Sequence, residues 1–240
     1  MGVRMSVDVA YAELGRILLD RTPLNAVLQR VAELARDSVP GADEASVTVV
    51  QGRRATSVAF TGNLAVQLDE RQYELGFGPC MDAAMSGQTI TIRNTAEGDQ
   101  AYPGYSEVAA RAGVRATLSV GLAVPGRTVG ALNLYDTRGE SVLTPESREV
   151  ATVFAGHAAI ALTNALAVES TRELAEQLQR AMVSRAVIEQ AKGIIAVQRG
   201  IAPEQAFALL SRRSQDSNRK LADLAGEAVE AVSQGRDPGW

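Results

Sequence analysis

Residues 117–135 read TLSVGLAVPGRTVGALNLY, and this stretch predicts a β-hairpin. Two runs of strand-forming residues flank the turn Pro125-Gly126-Arg127-Thr128. Side chains alternate between the two faces of a strand, so the first run has a large apolar face (Leu118, Val120, Leu122 and Val124) and a small one (Thr117, Ser119, Gly121 and Ala123). We expect helices to bury the large face, whereas the small face leaves room for a further group.

The residues around this hairpin predict an α+β domain, with an antiparallel sheet flanked by helices. Further strands are predicted at residues 45–50, 55–60 and 89–93. Helices are predicted at 14–18, 24–34 and 106–112, and in two pieces over 63–87 around Gly76-Phe77-Gly78-Pro79. Thr22 is the predicted cap of the helix over 24–34, with Pro23 at its first helical position.

From Thr144 onward the pattern is helical for about fifty residues. Spacings of four and three alternate along it, which makes a heptad stripe with two basic interruptions. The stripe comprises Leu174, Leu178, Ala181, Arg185, Ile188, Lys192 and Ile195. We expect this helix to leave the first domain, pair with a copy of itself as a coiled coil and enter a second domain. The alternative is a kinked pair of helices within one monomer.

Two shorter helices complete the predicted second domain. Gly200 ends the long helix and Pro203 begins the next, whose predicted buried face is Ala206, Phe207, Leu209 and Leu210. A polar connection at 214–218 leads to a third helix over 221–232. The result is a three-helix bundle of about 60 residues, a marginal size for independent stability.

Composition excludes several classes of protein. The 240 residues carry a net charge of −4, so any nucleic-acid site must be local. One cysteine and one histidine, Cys80 and His157, exclude a disulfide framework and a closed His/Cys metal site, and no cofactor or metal is predicted. Neither a signal peptide nor an apolar run of roughly 20 residues is found, so we expect a cytoplasmic protein with no membrane partner.

Signatures of catalysis are missing, so no enzyme and no catalytic residue is predicted. Cys80 follows Gly78-Pro79 at a predicted helix start, where the helix dipole lowers a thiol pKa. This position suits a redox or ligand-sensing residue. The alternative is a small apolar side chain in a pocket wall.

Basic residues concentrate in one window. Residues 185–220 hold seven basic side chains against three acidic ones, and both lysines of the chain, Lys192 and Lys220, lie there. Arg185, Lys192 and Arg199 are seven residues apart and so share one helix face. Such a patch suits a phosphate backbone and unpaired bases, although a mixed solvated face gives a similar pattern.

Two segments carry a family resemblance. Residues 182–232, with Ala191-Lys192-Gly193, Ala206-Phe207 and Asn218-Arg219-Lys220-Leu221, resemble an ANTAR domain, a family of RNA-binding transcription antiterminators. Residues 8–166, with Gly78-Pro79-Cys80-Met81 and Val129-Gly130-Ala131-Leu132-Asn133, resemble a GAF sensor domain. We therefore predict a GAF-like domain at 1–165, a coiled-coil linker helix at 166–181, an ANTAR three-helix domain at 182–233 and a tail at 234–240.

The resemblance implies a regulator that binds RNA with paired short hairpins and acts as a homodimer. The implied RNA contacts are Lys192, Arg212, Ser214, Asn218 and Lys220, to which the charge pattern adds Arg185. Phe207 is either a base-stacking or a core residue, and Ala191 and Gly193 are expected to allow close helix packing. A small-molecule ligand of the GAF domain would lie near Cys80, Thr117 and Ser119, unless the sheet is purely a dimerisation platform.

Two other classes of function remain open. One is a DNA-binding regulator with a helix-turn-helix, against which stand the acidic Glu227 and Glu230 of the third helix. The other is a ligand-sensing module whose helical tail contacts only protein.

Overall fold

The computed structural model describes residues 5–17, 21–51, 54–139 and 144–240. It divides into two units, Met1–Glu169 and Ser170–Trp240. The elements of the first unit are α1 (Val7–Gly15), α2 (Leu24–Ser38), β1 (Glu44–Gln51), β2 (Arg54–Phe60), α3 (Asn63–Leu75), α4 (Pro79–Ser86), β3 (Thr89–Ile92), α5 (Pro103–Arg111), β4 (Ala116–Val124) and β5 (Arg127–Asp136). α6 (Pro145–Arg199) continues into the second unit, which also holds α7 (Pro203–Ser217) and α8 (Leu221–Ser233).

The predicted hairpin is confirmed as β4 and β5, which form the centre of the sheet together with β1. The strand order is β2-β1-β5-β4-β3, and each neighbouring pair is antiparallel. Ser119 lies opposite Asn133, which in turn lies opposite Ser46 of β1. A row of polar residues therefore crosses the sheet on its small-residue face.

The large face of the sheet forms the main core, as predicted. Leu118, Val120 and Leu122 of β4 are buried there against α2 and the first part of α6. Phe154 of α6 is fully buried in the same cluster. Burial of this apolar surface is the main stabilisation of the first unit.

The small face is also covered, by α3, α4 and α5. Tyr105 of α5 and Leu68 of α3 pack over it, and Thr117 and Ser119 are both at most 1% exposed. A Cβ atom on Gly121 would overlap the backbone of Gly87 after α4, so glycine allows this close approach. The room expected beneath Thr117 and Ser119 is therefore occupied by the protein's own helices.

The cap of α2 and the starts of α1 and α5 differ from the prediction, and α1 covers Val7–Gly15 rather than residues 14–18. Pro23 has an extended ψ of 148° and is itself the N-cap of α2, so Thr22 does not cap that helix. α5 begins at Pro103, three residues before the predicted position, because proline is favourable in the first turn. Leu18, part of the first predicted helix, lies outside the described residues.

α6 is one helix of 55 residues, and the structure has no kinked pair in its place. It contains a window of mean hydropathy 1.5, long and apolar enough by length and composition to cross a membrane, which the sequence analysis did not expect. Packing accounts for part of this character: 39% of the window is buried, and Phe154, Ala158 and Leu162 lie in the core of the first unit.

The core of the second unit joins the three helices. Ala191 and Ile195 of α6 pack with Ala206 and Leu210 of α7 and with Leu224, Ala225 and Ala228 of α8. Phe207 and Leu209, predicted as core residues, are instead 42% and 43% exposed. The reason is geometric: Ala206 and Leu210 already occupy the buried stripe of α7, and residues 100° or more away around the helix point outward.

Candidate functional site

The basic row on α6 is exposed to different degrees along its length. Arg185 and Arg199 are exposed, whereas the side chain of Lys192 is only 20% exposed. The Nζ of Lys192 donates a hydrogen bond to Oε2 of Glu189 at 2.8 Å, and this bond lowers the pKa of Glu189. Lys192 is therefore partly buried and paired with a carboxylate of its own helix, whereas the two arginines of the row face solvent.

On α7 the two predicted contacts point in nearly opposite directions. Arg212 and Ser214 are two residues apart, which corresponds to about 200° around a helix. Arg212 is exposed, and its Nε lies 3.9 Å from Oδ2 of Asp216. The Ser214 hydroxyl donates to the backbone oxygen of Arg219 at 2.5 Å. Ser214 therefore holds the turn between α7 and α8, whereas Arg212 faces solvent.

The turn itself places the last two predicted contacts. Asn218 adopts a left-handed conformation with φ of 52° and ends α7, a position that asparagine tolerates better than most residues. Arg219 forms two hydrogen bonds to the Glu227 carboxylate. Lys220 is exposed at the start of α8. Both side chains of this basic pair are exposed, but the guanidinium of Arg219 is held by the Glu227 carboxylate.

Gly193 lies on an open surface. A Cβ atom there would meet no atom within 4 Å, so the expectation that Gly193 allows close helix packing is wrong. Ala191, by contrast, is fully buried between the helices. The surface next to Lys192 is therefore open at Gly193.

The sequence analysis missed one feature of this unit. The guanidinium of Arg213 lies 4.4 Å from the centroid of the Trp240 ring, and its Nη1 donates to the backbone oxygen of Gly239 at 3.0 Å. Arg199, Arg212 and Arg213 line one concave surface together with Trp240. The only available signal was the single tryptophan of the chain, which no periodic pattern connects to Arg213.

In the first unit, Cys80, Thr117 and Ser119 lie on the covered face of the sheet. The Sγ of Cys80 is 3.2 Å from Oγ1 of Thr48, and Oγ1 of Thr117 is 2.9 Å from the hydroxyl of Tyr105. All three predicted residues are buried. Cys80 and Thr117 therefore each contact a polar side chain in the buried layer between the sheet and the helices that cover it.

A buried hydrogen-bond network extends this layer. The amide nitrogen of Asn133 donates to the hydroxyls of Ser46 and Thr48 at 3.0 and 3.1 Å. Asp69 accepts hydrogen bonds from Ser46 and Tyr135, both at 2.5 Å. The alternating polar residues of β1 and β5, which all face one way, were the sequence signal for it.

Three buried polar atoms have no hydrogen-bond partner among the described residues. They are the hydroxyls of Ser106 and Ser119 and the side-chain oxygen of Asn133. Buried polar groups are normally paired, so this face retains unused hydrogen-bonding capacity.

The surroundings of Cys80 differ from those of a reactive cysteine, which is partly exposed and has a lowered thiol pKa. Burial raises the pKa of its thiol well above the ordinary value, and the negative charge of Asp69 raises it further. Desolvation disfavours the thiolate more strongly than the start of an eight-residue helix favours it. The prediction that the helix start lowers this pKa is therefore wrong.

Within the described ranges, no group of three or more His, Cys, Asp or Glu side chains is placed to hold a metal ion. His157 instead contacts Tyr11, with ring centroids 4.5 Å apart.

The first unit is a sheet covered by helices on both faces, and α6 continues from it into a three-helix domain. The chain belongs to the GAF domain family, which matches residues 21–163, and the ANTAR domain family matches residues 176–229. These are sensory and regulatory domains, and ANTAR domains bind RNA in transcription antitermination.

Solved structures support the fold. A bacteriophytochrome from R. palustris is 11% identical with a TM-score of 0.51, over 78% of this chain and 41% of its own. The phytochrome photosensory core module of Stigmatella aurantiaca is 14% identical with a TM-score of 0.53, over 87% of this chain and 44% of its own. This chain thus spans less than half the length of either protein. A comparison with curated protein sequences gave no match.

Proposed function

We propose that this protein is a cytoplasmic, homodimeric antitermination regulator whose C-terminal head binds RNA with paired short hairpins. The observation that carries the proposal is the row Arg185, Lys192 and Arg199, which lies within the ANTAR-matched part of α6. The charge of this row, with Arg212 and Lys220, suits the phosphate backbone of RNA.

The six predicted contacts take two different roles in this proposal. Arg185, Lys192, Arg212 and Lys220 provide charge to phosphates, because each has a cationic side chain at the surface of the head. Ser214 and Asn218 shape the turn between α7 and α8, where one closes a backbone hydrogen bond and the other adopts the left-handed conformation. Their effect on RNA is then indirect, through the placement of Lys220.

Homodimerisation rests on the exposed stripe of α6. Leu174 and Leu178 are 56% and 57% exposed, and Ala181 is exposed as well. Apolar residues at alternating spacings of four and three pair in coiled coils. A dimer would bury Leu174, Leu178 and Ala181, which precede the basic row, and present two heads to two hairpins of one RNA.

Sensing by the first unit is proposed for the covered face of the sheet. The support is the unused hydrogen-bonding capacity of Ser119 and Asn133 next to Cys80 and Thr117. A small polar molecule would use these groups, and its entry requires α5 to move because Tyr105 covers Thr117.

The test is binding of the full-length protein to labelled RNA, followed by fluorescence anisotropy at several salt concentrations. The probes are an RNA with two short hairpins joined by a linker, the same RNA with scrambled loops, and a duplex DNA. We expect loop-dependent RNA binding that weakens as salt rises. Preference for duplex DNA would support the helix-turn-helix alternative, and binding to none of the probes would support the protein-interaction module.

Variants locate the site. Lys192→Ala is expected to weaken binding and lower the salt slope by about one unit, as for the loss of one phosphate contact. Arg180→Ala is the matched control, since Arg180 is an exposed residue of the same helix that lies outside the row and pairs with Glu176 at 3.5 Å. Equal affinities of the two variants would place the RNA elsewhere.

A further inference from the structure

The tail after α8 folds back onto the head. Gly235 has φ of 69°, and the N–H of Arg236 donates to the oxygen of Ala231 at 2.8 Å, which reverses the chain. Trp240 then packs against the core of the second unit and beneath the guanidinium of Arg213. The ANTAR match ends at residue 229, so this tail adds a surface outside the matched domain.

Trp240 and Arg213 separate two concave surfaces of opposite charge. One is an open surface with a volume of about 390 Å³ and is lined by Arg199, Leu209, Arg212 and Asp216 in addition to this pair. The other has a volume of about 280 Å³, and its three carboxylates, from Glu227, Glu230 and Asp237, outnumber the guanidiniums of Arg213 and Arg236. The first has three arginines against one carboxylate, so only this side of the ring attracts a phosphate group.

The first surface also has the shape and chemistry for a planar ring. Its volume falls within the roughly 300–1,000 Å³ of small-ligand sites. Leu209 and the indole provide an apolar wall, and a guanidinium plane stacks on an aromatic base as it does on the indole. Unpaired RNA bases are held by such stacking, with phosphate contacts from neighbouring arginines.

We propose that this surface binds one unpaired base of the RNA together with its phosphate. The base stacks against the Arg213–Trp240 pair, and Arg199 and Arg212 hold the phosphate. The inference rests on the proposed RNA-binding function and extends it, because it assigns the tail a direct contact with a hairpin loop.

Asp216 gives this surface a base preference. Its carboxylate, 3.9 Å from Arg212, is the one hydrogen-bond acceptor among the charged groups of the wall. Adenine and cytosine donate to a carboxylate through an exocyclic amino group and uracil through its ring N3–H, whereas guanine donates through N1–H and its amino group together. Guanine, with two adjacent donors, is therefore the loop base bound most tightly.

Trp240 is the only tryptophan, so its fluorescence reports on this surface alone. We expect the two-hairpin RNA to quench that fluorescence in the full-length protein at the concentrations at which anisotropy shows binding. Trp240→Ala should weaken binding about 5- to 150-fold, the range for loss of one base–aromatic stack. Trp240→Phe should recover most of the affinity, with melting temperature and helix content checked for both variants. Asp216→Ala should remove the preference for guanine over the other three bases in the loop.

The outcomes separate this inference from the function on which it rests. If the wild type binds RNA but its fluorescence does not change, and folded Trp240→Ala binds equally well, the stacking site is wrong and the RNA-binding function stands. If Trp240→Ala weakens binding without quenching in the wild type, the tail only supports the head, and the inference is again wrong. If the wild type binds none of the RNAs, the proposed function fails and the inference fails with it.

Discussion

The hydroxyl of Tyr135 donates a hydrogen bond to Oδ1 of Asp69 at 2.5 Å, and both side chains are fully buried. Tyr135 is at the end of β5 and Asp69 is on α3, so this bond ties the small face of the sheet to the helix that covers it. The same carboxylate accepts from Ser46 of β1. One buried carboxylate thus joins α3 to two strands.

Tyr135→Phe is expected to lower the free energy of unfolding by about 1–3 kcal/mol, because it leaves a buried carboxylate oxygen without this donor. Tyr73→Phe is the matched control, since the Tyr73 hydroxyl lies 2.9 Å from Thr48 Oγ1 in a partly buried position. Its cost should be smaller. Denaturant unfolding of the two variants measures both values, and equal losses would contradict the role given to Asp69.

Stability is expected to fall on the alkaline side. Burial raises the pKa of Cys80, Tyr105 and Tyr135, so the folded protein keeps their protons while the unfolded chain releases them. The contribution of these protons to the free energy of unfolding is fully present below the unfolded pKa values, about 8.5 for cysteine and 10 for tyrosine. It falls as the pH rises above those values toward the raised pKa values of the folded state. Thermal unfolding of wild type and Cys80→Ala between pH 7 and about 10 should show a shallower loss in the variant. Parallel curves would contradict the burial of the thiol.

Local patterns accounted for the parts of the fold with short-range signals. The hairpin of β4 and β5 and the 55-residue α6 follow from alternation and heptads read within a few turns of chain. The contact of Ser46 with Asn133 joins residues 87 positions apart, and the cover over Thr117 depends on how three helices pack. Such long-range packing has no local signature, which is why the small face was predicted to have room.

In the candidate site, too, the sequence indicated features that have a local pattern and missed those that depend on tertiary packing. Arg185 was predicted as an RNA contact from spacing and charge along one helix, and Lys192 from the resemblance to ANTAR domains. Phe207 was misplaced because apolar character was taken as burial, although the adjacent Ala206 occupies the core position. Trp240 was missed because its contact with Arg213 depends on the reversal of the tail at Gly235.

Cys80 is expected to resist thiol reagents in the native protein. Only the thiolate reacts, and burial both raises the thiol pKa and blocks access of the reagent. Labelling followed by mass spectrometry should show one modification in denaturant and none without it, and Cys80→Ala should show none in either. Rapid labelling of the native protein would support the redox-sensing alternative.

Substitution by alanine should raise stability at one glycine and lower it at another. Gly193→Ala is expected to stabilise the second unit by about 0.5–1 kcal/mol, since alanine favours a helix interior and has open space there. At Gly130 in β5 a Cβ atom would overlap the carbonyl oxygen of Thr48, so Gly130→Ala should destabilise the first unit. Melting temperatures of both variants test the pair. Destabilisation by Gly193→Ala would show that the position packs closely after all.

Leu178→Glu is expected to convert the proposed dimer to a monomer without unfolding it. Leu178 is more than half exposed in the single chain, so a carboxylate at this position should change the stability of the monomer little. In a paired helix the same carboxylate would be buried next to the corresponding carboxylate of the second copy, which opposes pairing. Gln179→Glu, one residue away on the exposed surface of the same helix, adds the same charge beside the stripe and should leave the dimer intact. Sedimentation equilibrium distinguishes the two masses, and circular dichroism checks that helix content is unchanged.

Loss of the dimer should also weaken binding to the two-hairpin RNA far more than to a single hairpin, because two linked heads gain from effective concentration and one head does not. If Leu178→Glu stays dimeric, the heptad stripe of α6 is not the contact between the two copies.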